Sequence, residues 1–406
     1  MLGSVRLGVP DSRRTLAIYV AAGASFAALS ARGLTVPLYA HELGADRFQV
    51  GALFSVATLA AALLSMPSGV LIDRFGTRTL LIVSLIIAAG SQLAMAEATT
   101  IAPLFVWQIV GGLGAGAQQA ALFSAVTALV PSGRLGRAMG WLTFSMQAGF
   151  FLGPSIAGLL LQWLDLRTDI AVTTAVLVFA IPGAMAASTA PQSGARLALM
   201  KPLRGLISQR AFGPVVIGLV ATTLAFGTVG AFLPIFGKEG LGLSNSQVGL
   251  VLAIQAVANG LARIPGGRFV DRAKRRWPIV FVGVMVWSVA AIALGHLSGF
   301  WAPVVLLVLA TPFVATAYVA MGVVFGDLST GSTRGVTMGA YGTVLFLGLA
   351  AGPLAFGQIV QAYGYAAGFT ACAGVAMVLA VVMAAFHAEP LRPRSEIPLP
   401  PPAPGT

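Results

Sequence analysis

Apolar runs of about twenty residues recur along the whole chain, and each is long enough to cross about 30 Å of hydrocarbon as a helix. They fall at roughly 16–40, 48–71, 79–97, 101–127, 138–163, 170–188, 212–236, 247–269, 278–297, 301–326, 336–362 and 366–387. Charged residues make up only 9 % of the 406 residues, against about 25 % in a soluble domain. A segment in lipid must satisfy its own backbone polar groups, and a helix does so without a partner. A closed β-barrel would need strands of about ten alternating residues, a pattern this chain lacks. The sequence therefore predicts an all-α membrane protein with twelve transmembrane helices.

A net charge of +12 raises the question of nucleic acid, so its distribution matters. With the N-terminus inside, 19 of the 24 Lys and Arg residues fall in inner segments and 3 in outer loops, while Arg32 and Arg263 lie within spans. This is the positive-inside bias that sets membrane orientation. It predicts cytoplasmic N- and C-termini and no nucleic-acid partner. Cys372 is the one cysteine, which excludes an intrachain disulfide framework. The first run is too long for a signal-peptide core and reads as a retained helix.

The second half echoes the first. Pro67-Ser68-Gly69-Val70-Leu71-Ile72-Asp73-Arg74-Phe75-Gly76-Thr77-Arg78 returns 198 residues later as Pro265-Gly266-Gly267-Arg268-Phe269-Val270-Asp271-Arg272-Ala273-Lys274-Arg275-Arg276. Pro37-Leu38-Tyr39 returns as Pro234-Ile235-Phe236, and Gln49-Val50-Gly51 as Gln247-Val248-Gly249. Gly149, Gly153, Pro154 and Gly158 return as Gly348, Gly352, Pro353 and Gly357. Six spans per half make the halves run the same way, related by an axis along the membrane normal. The expected organisation is a six-helix bundle over 1–190, a cytoplasmic linker over 191–211, a second six-helix bundle over 212–388, and a disordered Pro-rich tail over 389–406.

On these features the chain resembles the major facilitator superfamily from Leu16 to His387. The family's loop after its second helix reads Gly-x-Leu-x-Asp-Arg-x-Gly-Arg-Arg. Gly69, Leu71, Asp73, Arg74, Gly76 and Arg78 match it, and Thr77 departs. The second copy keeps Gly267, Asp271, Arg272, Arg275 and Arg276 but has Lys274 in place of the second glycine. Each aspartate closes its own helix, the end where the macrodipole disfavours an anion, so its favourable partners must lie elsewhere. The resemblance implies a cytoplasmic latch, with Asp73 facing the start of the eleventh helix near 334–339 and Asp271 the start of the fifth near 134–140. Gly69 and Gly267 are expected to permit close helix approach.

The fifth span is similar to the glycine pattern of the family's antiporters, with Gly140, Gly149, Gly153, Pro154 and Gly158 in place and Ala157 replacing one glycine. The eleventh span carries the same ridge, which is equally the mark of ordinary tight packing. Drug–proton antiporters usually place an arginine in the fourth helix, where this chain has Gln108. No Asp or Glu falls in the middle of an expected span, and Asp327 comes closest, so a proton relay lacks support. Coupling to protons or sodium stays open, and the residues suggest no cofactor or metal site.

Substrate-binding candidates are the polar groups inside spans. Arg32 lies in the first helix, which lines the family's central cavity, and either snorkels toward Glu42 or has a function. Gln255, Asn259 and Arg263 share one helix face at i, i+4, i+8, where the first half has Ala57, Ala61 and Ser65. Gln108, Gln118 and Tyr318 complete the set, with Gln147 and Tyr341 weaker.

The resemblance implies alternating access around a site near the membrane midplane, in a monomer of the bacterial inner membrane. The leading expectation is export of an amphipathic or hydrophobic small molecule, as in multidrug efflux. The alternatives are an organic-anion transporter using Arg32 and Arg263, and a receptor or scaffold that does not transport. No nucleophile–base set or phosphate loop suggests an enzyme.

Overall fold

The structure, a computed structural model, describes residues 13–130, 135–187, 200–328 and 334–386, and the regular structure among them is helical with no strand. The first half holds α1 (Arg13–Glu42), α2 (Arg47–Ser65), α3 (Ser68–Phe75), α4 (Thr77–Ala96), α5 (Ile101–Leu129), α6 (Leu135–Leu160), α7 (Leu166–Thr174) and α8 (Ile181–Ala186). A short α9 (Met200–Ile207) precedes α10 (Phe212–Glu239), α11 (Asn245–Arg272), α12 (Trp277–Leu294), α13 (Trp301–Asp327), α14 (Arg334–Tyr363) and α15 (Tyr365–Ala385). Among the described residues, eleven helical stretches, one of them Leu166–Ala186 through α7 and α8, are long and apolar enough to cross a membrane. The 26-residue α6 is long enough at about 1.5 Å per residue, and its glycines and Gln147 dilute its hydropathy. Exposed apolar side chains such as Leu63, Leu261, Ile264 and Val378 lie on surfaces that suit lipid rather than water.

The sequence echo has a structural cause at several points. Asp46 caps α2, with Gln49 reaching back to the cap backbone, and Ser244 with Gln247 does the same for α11. Reciprocal caps of this kind satisfy orphan N–H groups, which accounts for the repeated glutamine. Gly44 and Gly242, again 198 apart, both take positive φ in the turns before these caps, a conformation glycine adopts freely.

Packing repeats as well. In the first half α1 packs on α6, and α5 on α2 and α4; in the second, α10 packs on α14, and α13 on α11 and α12. The halves meet where α2 lies along α14, where α6 lies along α11, and more narrowly where α1 meets α10. Fully buried Leu34, Leu53, Phe232, Trp287 and Phe325 belong to one apolar core that spans this junction, and a smaller core around Ile18, Leu81, Leu122 and Leu142 lies within the first half.

Three expectations change. The second span breaks at Met66–Pro67 into α2 and α3, whereas α11 runs unbroken through Pro265. Gly76, at φ 80°, lets α4 start directly after α3, while the copy with Lys274 makes a longer turn before α12. The sixth span starts at Leu166 rather than 170, because Asp165 caps it by accepting from the backbone N–H and the hydroxyl of Thr168. That earlier start places Asp169 inside the span. Its side chain is fully buried, with neither carboxylate oxygen hydrogen-bonded. The expected tail and the first part of the linker, 191–199, lie outside the described residues.

Candidate functional site

Helix α11 builds a polar cluster at the junction of the halves. The side chain of Arg263 lies one turn beyond Asn259, and its Nε donates to Asn259 Oδ1 at 3.0 Å. The same oxygen accepts from Gln147 Nε2 of α6 at 3.2 Å. Asn259 thus fixes the guanidinium by its Nε edge and ties the two halves together. Gly260 lies beside this link, where a Cβ would make an ordinary contact with the Gln147 side chain at 3.6 Å. The terminal nitrogens of Arg263 have no acceptor, and no carboxylate pairs with it, among the described residues. The phenols of Tyr318 (α13) and Tyr341 (α14) are close enough to interact electrostatically with it. The Tyr318 hydroxyl is buried and has no hydrogen-bond partner, while its ring stands edge-on to Phe226. Gln255, two turns before Arg263, is half-buried on the same face.

The first half holds a second cation. Arg32 is 8 % exposed, and its guanidinium rests against the backbone of Gly111 in α5, beside Ser91 of α4. The snorkelling expectation is therefore corrected: Arg32 turns inward between helices, not along α1 toward Glu42. Gly111 is needed for this, because a Cβ there would collide with Arg32 and lie 2.8 Å from Ser91 Oγ. Gln108, one turn earlier on α5, is buried with its Oε1 unpartnered. Gln118 instead donates to Ser25 Oγ at 2.8 Å and is engaged in holding α5 to α1.

The duplicated features fall into place differently. Gly149 and Gly153 seat α6 on α1: a Cβ at Gly149 would lie 2.8 Å from Ala27 N, and one at Gly153 2.8 Å from Ala31 N. Gly348 and Gly352 seat α14 on α10 in the same way, against Thr223 and Thr228. Each ridge works inside its own half. Pro154 and Pro353 lie within α6 and α14. One turn beyond each ridge, a Cβ at Gly158 would lie 3.1 Å from the Gly249 Cα across the junction, and one at Gly357 would lie 3.1 Å from the Phe48 ring.

A Cβ at Gly69 or Gly267 would meet nothing within 4 Å among the described residues, and much of the segments expected to face them lies outside those residues. Asp271 and Arg272 are exposed at the end of α11. The side chains of Asp73, Arg137 and Arg334, the surroundings of Gly140, and Arg134 altogether lie outside the described residues. Arg74 and Arg78 flank Gly76 near the α3–α4 turn, with Arg74 over the Phe75 ring. Asp327 is no relay group: it pairs with Arg276 at the end of α13. This anchors the second hinge loop to the body of its half.

A family model described as Major Facilitator Superfamily matches residues 18–244 and 215–405. The 4-hydroxybenzoate transporter PcaK of Acinetobacter baylyi is 30 % identical over 135 residues, which cover 33 % of this chain and 29 % of that protein. The quinolone resistance protein NorA of Staphylococcus aureus is 24 % identical over 127 residues, 31 % of this chain and 33 % of that one. The alignments thus span about a third of each of these two relatives. The MFS-type transporter MJ1560 of Methanocaldococcus jannaschii is 22 % identical over 81 % of this chain and 86 % of its own length. The crystal structure of the nucleoside transporter NupG shares the fold, with a TM-score of 0.74 at 15 % identity over 92 % of this chain and 99 % of that one.

Proposed function

Because this chain belongs to the Major Facilitator Superfamily, and is an integral membrane transporter rather than an enzyme, we propose that it moves a small organic anion by alternating access. The observation that carries this reading is Arg263. It is held at the junction of the halves by Asn259, keeps its terminal nitrogens uncommitted, and stands near two phenols with no carboxylate partner. A guanidinium of this kind offers a bidentate site to a carboxylate. Tyr318 adds an unused hydroxyl and the Phe226 ring an aromatic wall. PcaK, named for an aromatic carboxylate, is in keeping with it. Arg32, also without a carboxylate partner, adds positive potential from the first half.

The second reading is export of an amphipathic molecule, favoured by the match to NorA. The glycine ridge no longer adds to it, because both copies are occupied in packing within their halves. In either case the halves 1–190 and 212–388 rock about the site, with the hinges cytoplasmic by the charge bias and Asp73 and Asp271 as latches. A monomer in a bacterial inner membrane fits this reading.

Proteoliposomes test it. Aromatic and aliphatic carboxylates are expected to accumulate with wild-type protein, and Arg263→Ala to lower uptake by roughly 10- to 100-fold, the worth of a charged hydrogen bond. Arg263→Lys should recover only part, because a point charge lacks the fork. If no carboxylate moves or raises thermal stability, while Arg263→Ala leaves transport of hydrophobic dyes intact, the anion reading is lost and the exporter reading stands.

A further inference from the structure

At the end remote from the hinges, five side chains from both halves converge. Glu239 closes α10, with its side chain 22 % exposed. Its Oε2 accepts from Arg47 Nε of α2 at 2.8 Å and from the Tyr365 hydroxyl of α15 at 2.8 Å. Its Oε1 lies 3.3 Å from His41 Nε2 at the end of α1. The Arg47 guanidinium also stacks 4.7 Å over the Tyr365 ring. The Arg47 backbone N–H, one of the orphan donors of the first turn, is satisfied by Gln361 Oε1 of α14 at 2.9 Å. A side chain of one half thus helps cap a helix of the other.

We propose that Arg47 and His41 of the first half, with Glu239, Gln361 and Tyr365 of the second, form a clasp that holds this face closed and must release for it to open. The inference rests on the alternating-access reading and names a closing element that the hinges do not supply. By the charge bias this is the outer face.

Three features distinguish the clasp from incidental surface pairing. First, every contact of the Glu239 carboxylate with another side chain is shared with His41, Arg47 or its neighbour Tyr365, and those with His41 and Arg47 cross the junction. Second, the clasp lies over a closely packed seam, where a Cβ at Gly51 would meet the Phe232 ring at 2.5 Å and one at Gly357 would meet the Phe48 ring at 3.1 Å. Glu239 is the shielded member, while the His41 and Arg47 side chains are 39 % and 36 % exposed, so water screens part of the attraction. Third, His41 and Glu239 are 198 residues apart, the offset of the repeat itself. Duplicated helix ends have diverged into a base and an acid, which meet where α1 and α10 approach. The Arg167–Glu97 pair provides a contrast. It lies at the same end, has side chains 45 % and 75 % exposed, and stays within one half, and a pair of that kind is worth little.

The test uses full-length protein with Cys372→Ser and spin labels at Thr99→Cys and Ser298→Cys, exposed loop positions on the two halves. A second labelled pair across the hinge face serves as reference. Glu239→Gln is expected to raise the population with long Thr99–Ser298 distances about tenfold, the scale of a lost hydrogen bond to a charge. Arg47→Ala should act in the same direction, and Glu97→Gln should leave the distances unchanged. Arg47→Glu combined with Glu239→Arg should recover part of the wild-type distribution. If wild-type distances exchange on both faces but Glu239→Gln and Arg47→Ala leave the remote face unmoved, the clasp is overturned and alternating access stands. If neither face shows exchange in any variant, the alternating-access reading fails with it.

Discussion

Gly153 and Gly69 both lie in helices, and only one of them is required for packing. A Cβ at Gly153 would press on Ala31 N at 2.8 Å and on the Ala27 carbonyl, backbone that cannot swing aside. Gly153→Ala is therefore expected to destabilise the protein by about 1–3 kcal/mol, as overpacking does. Gly69→Ala meets open space and should stay within about 0.5 kcal/mol of wild type. Thermal unfolding in detergent decides between them, and equal losses at both positions would contradict the packing described. The motif alone could not separate these glycines, because a glycine kept for backbone approach and one kept for another reason read alike. Asp169 was hidden for a related reason. Its burial follows from where α7 begins, and Asp165, the residue that moves that beginning, looks in sequence like any loop acid.

Among elements, the caps and breaks carry most of what the repeat conserves. The Gln49-Val50-Gly51 echo was legible, but its cause, the Asp46–Gln49 and Ser244–Gln247 capping boxes, shows only in the structure. The break between α2 and α3 was not legible, because Pro67 and Pro265 occupy equivalent places and only the first interrupts its helix. The start of α7 gives a measurable case. Asp165→Ala should cost about 1 kcal/mol, the usual worth of an N-cap. Hydrogen bonds from Thr168, the hydroxyl foremost, hold the Asp165 carboxyl below the usual carboxylate range. The sign follows from that depression: the cap contributes fully above about pH 3.9, the unfolded value, and its contribution fades as pH falls toward the lower folded one. Wild type and Asp165→Ala should converge in stability under acid. A gap that persists unchanged at about pH 2, well below the unfolded value, would mean the carboxylate is not what caps α7.

At the scale of the whole molecule, the twelve-span, two-half plan was readable because lipid imposes it and duplication repeats it. The Arg263 cluster was half readable. The i, i+4, i+8 stripe marked Gln255, Asn259 and Arg263, but Gln147 joins only because α6 lies along α11, a contact between distant segments. The clasp left no trace in a search for repeats, since it uses duplicated positions with different residues. The hinge proposal belongs to this scale too. Asp73→Asn is expected to widen distances between labels on opposite halves of the hinge face and leave the fold's unfolding temperature nearly unchanged. Unaltered hinge-face distances would remove Asp73 from that role.

The touch of Gly158 on Gly249 has a mechanical consequence. Two helices that roll over one another at side chains must disengage interlocked rotamers, and each disengagement adds to the barrier. Here backbone meets backbone across the junction, with hydrogens where side chains would interlock. Such a contact acts as a plain bearing: it fixes the separation of the two halves but resists little of their rotation. On the alternating-access reading, the interactions that turnover must break are then the clasp at one rim, the hinges at the other and the Gln147–Asn259 bond between the halves, while the glycine contact itself adds little.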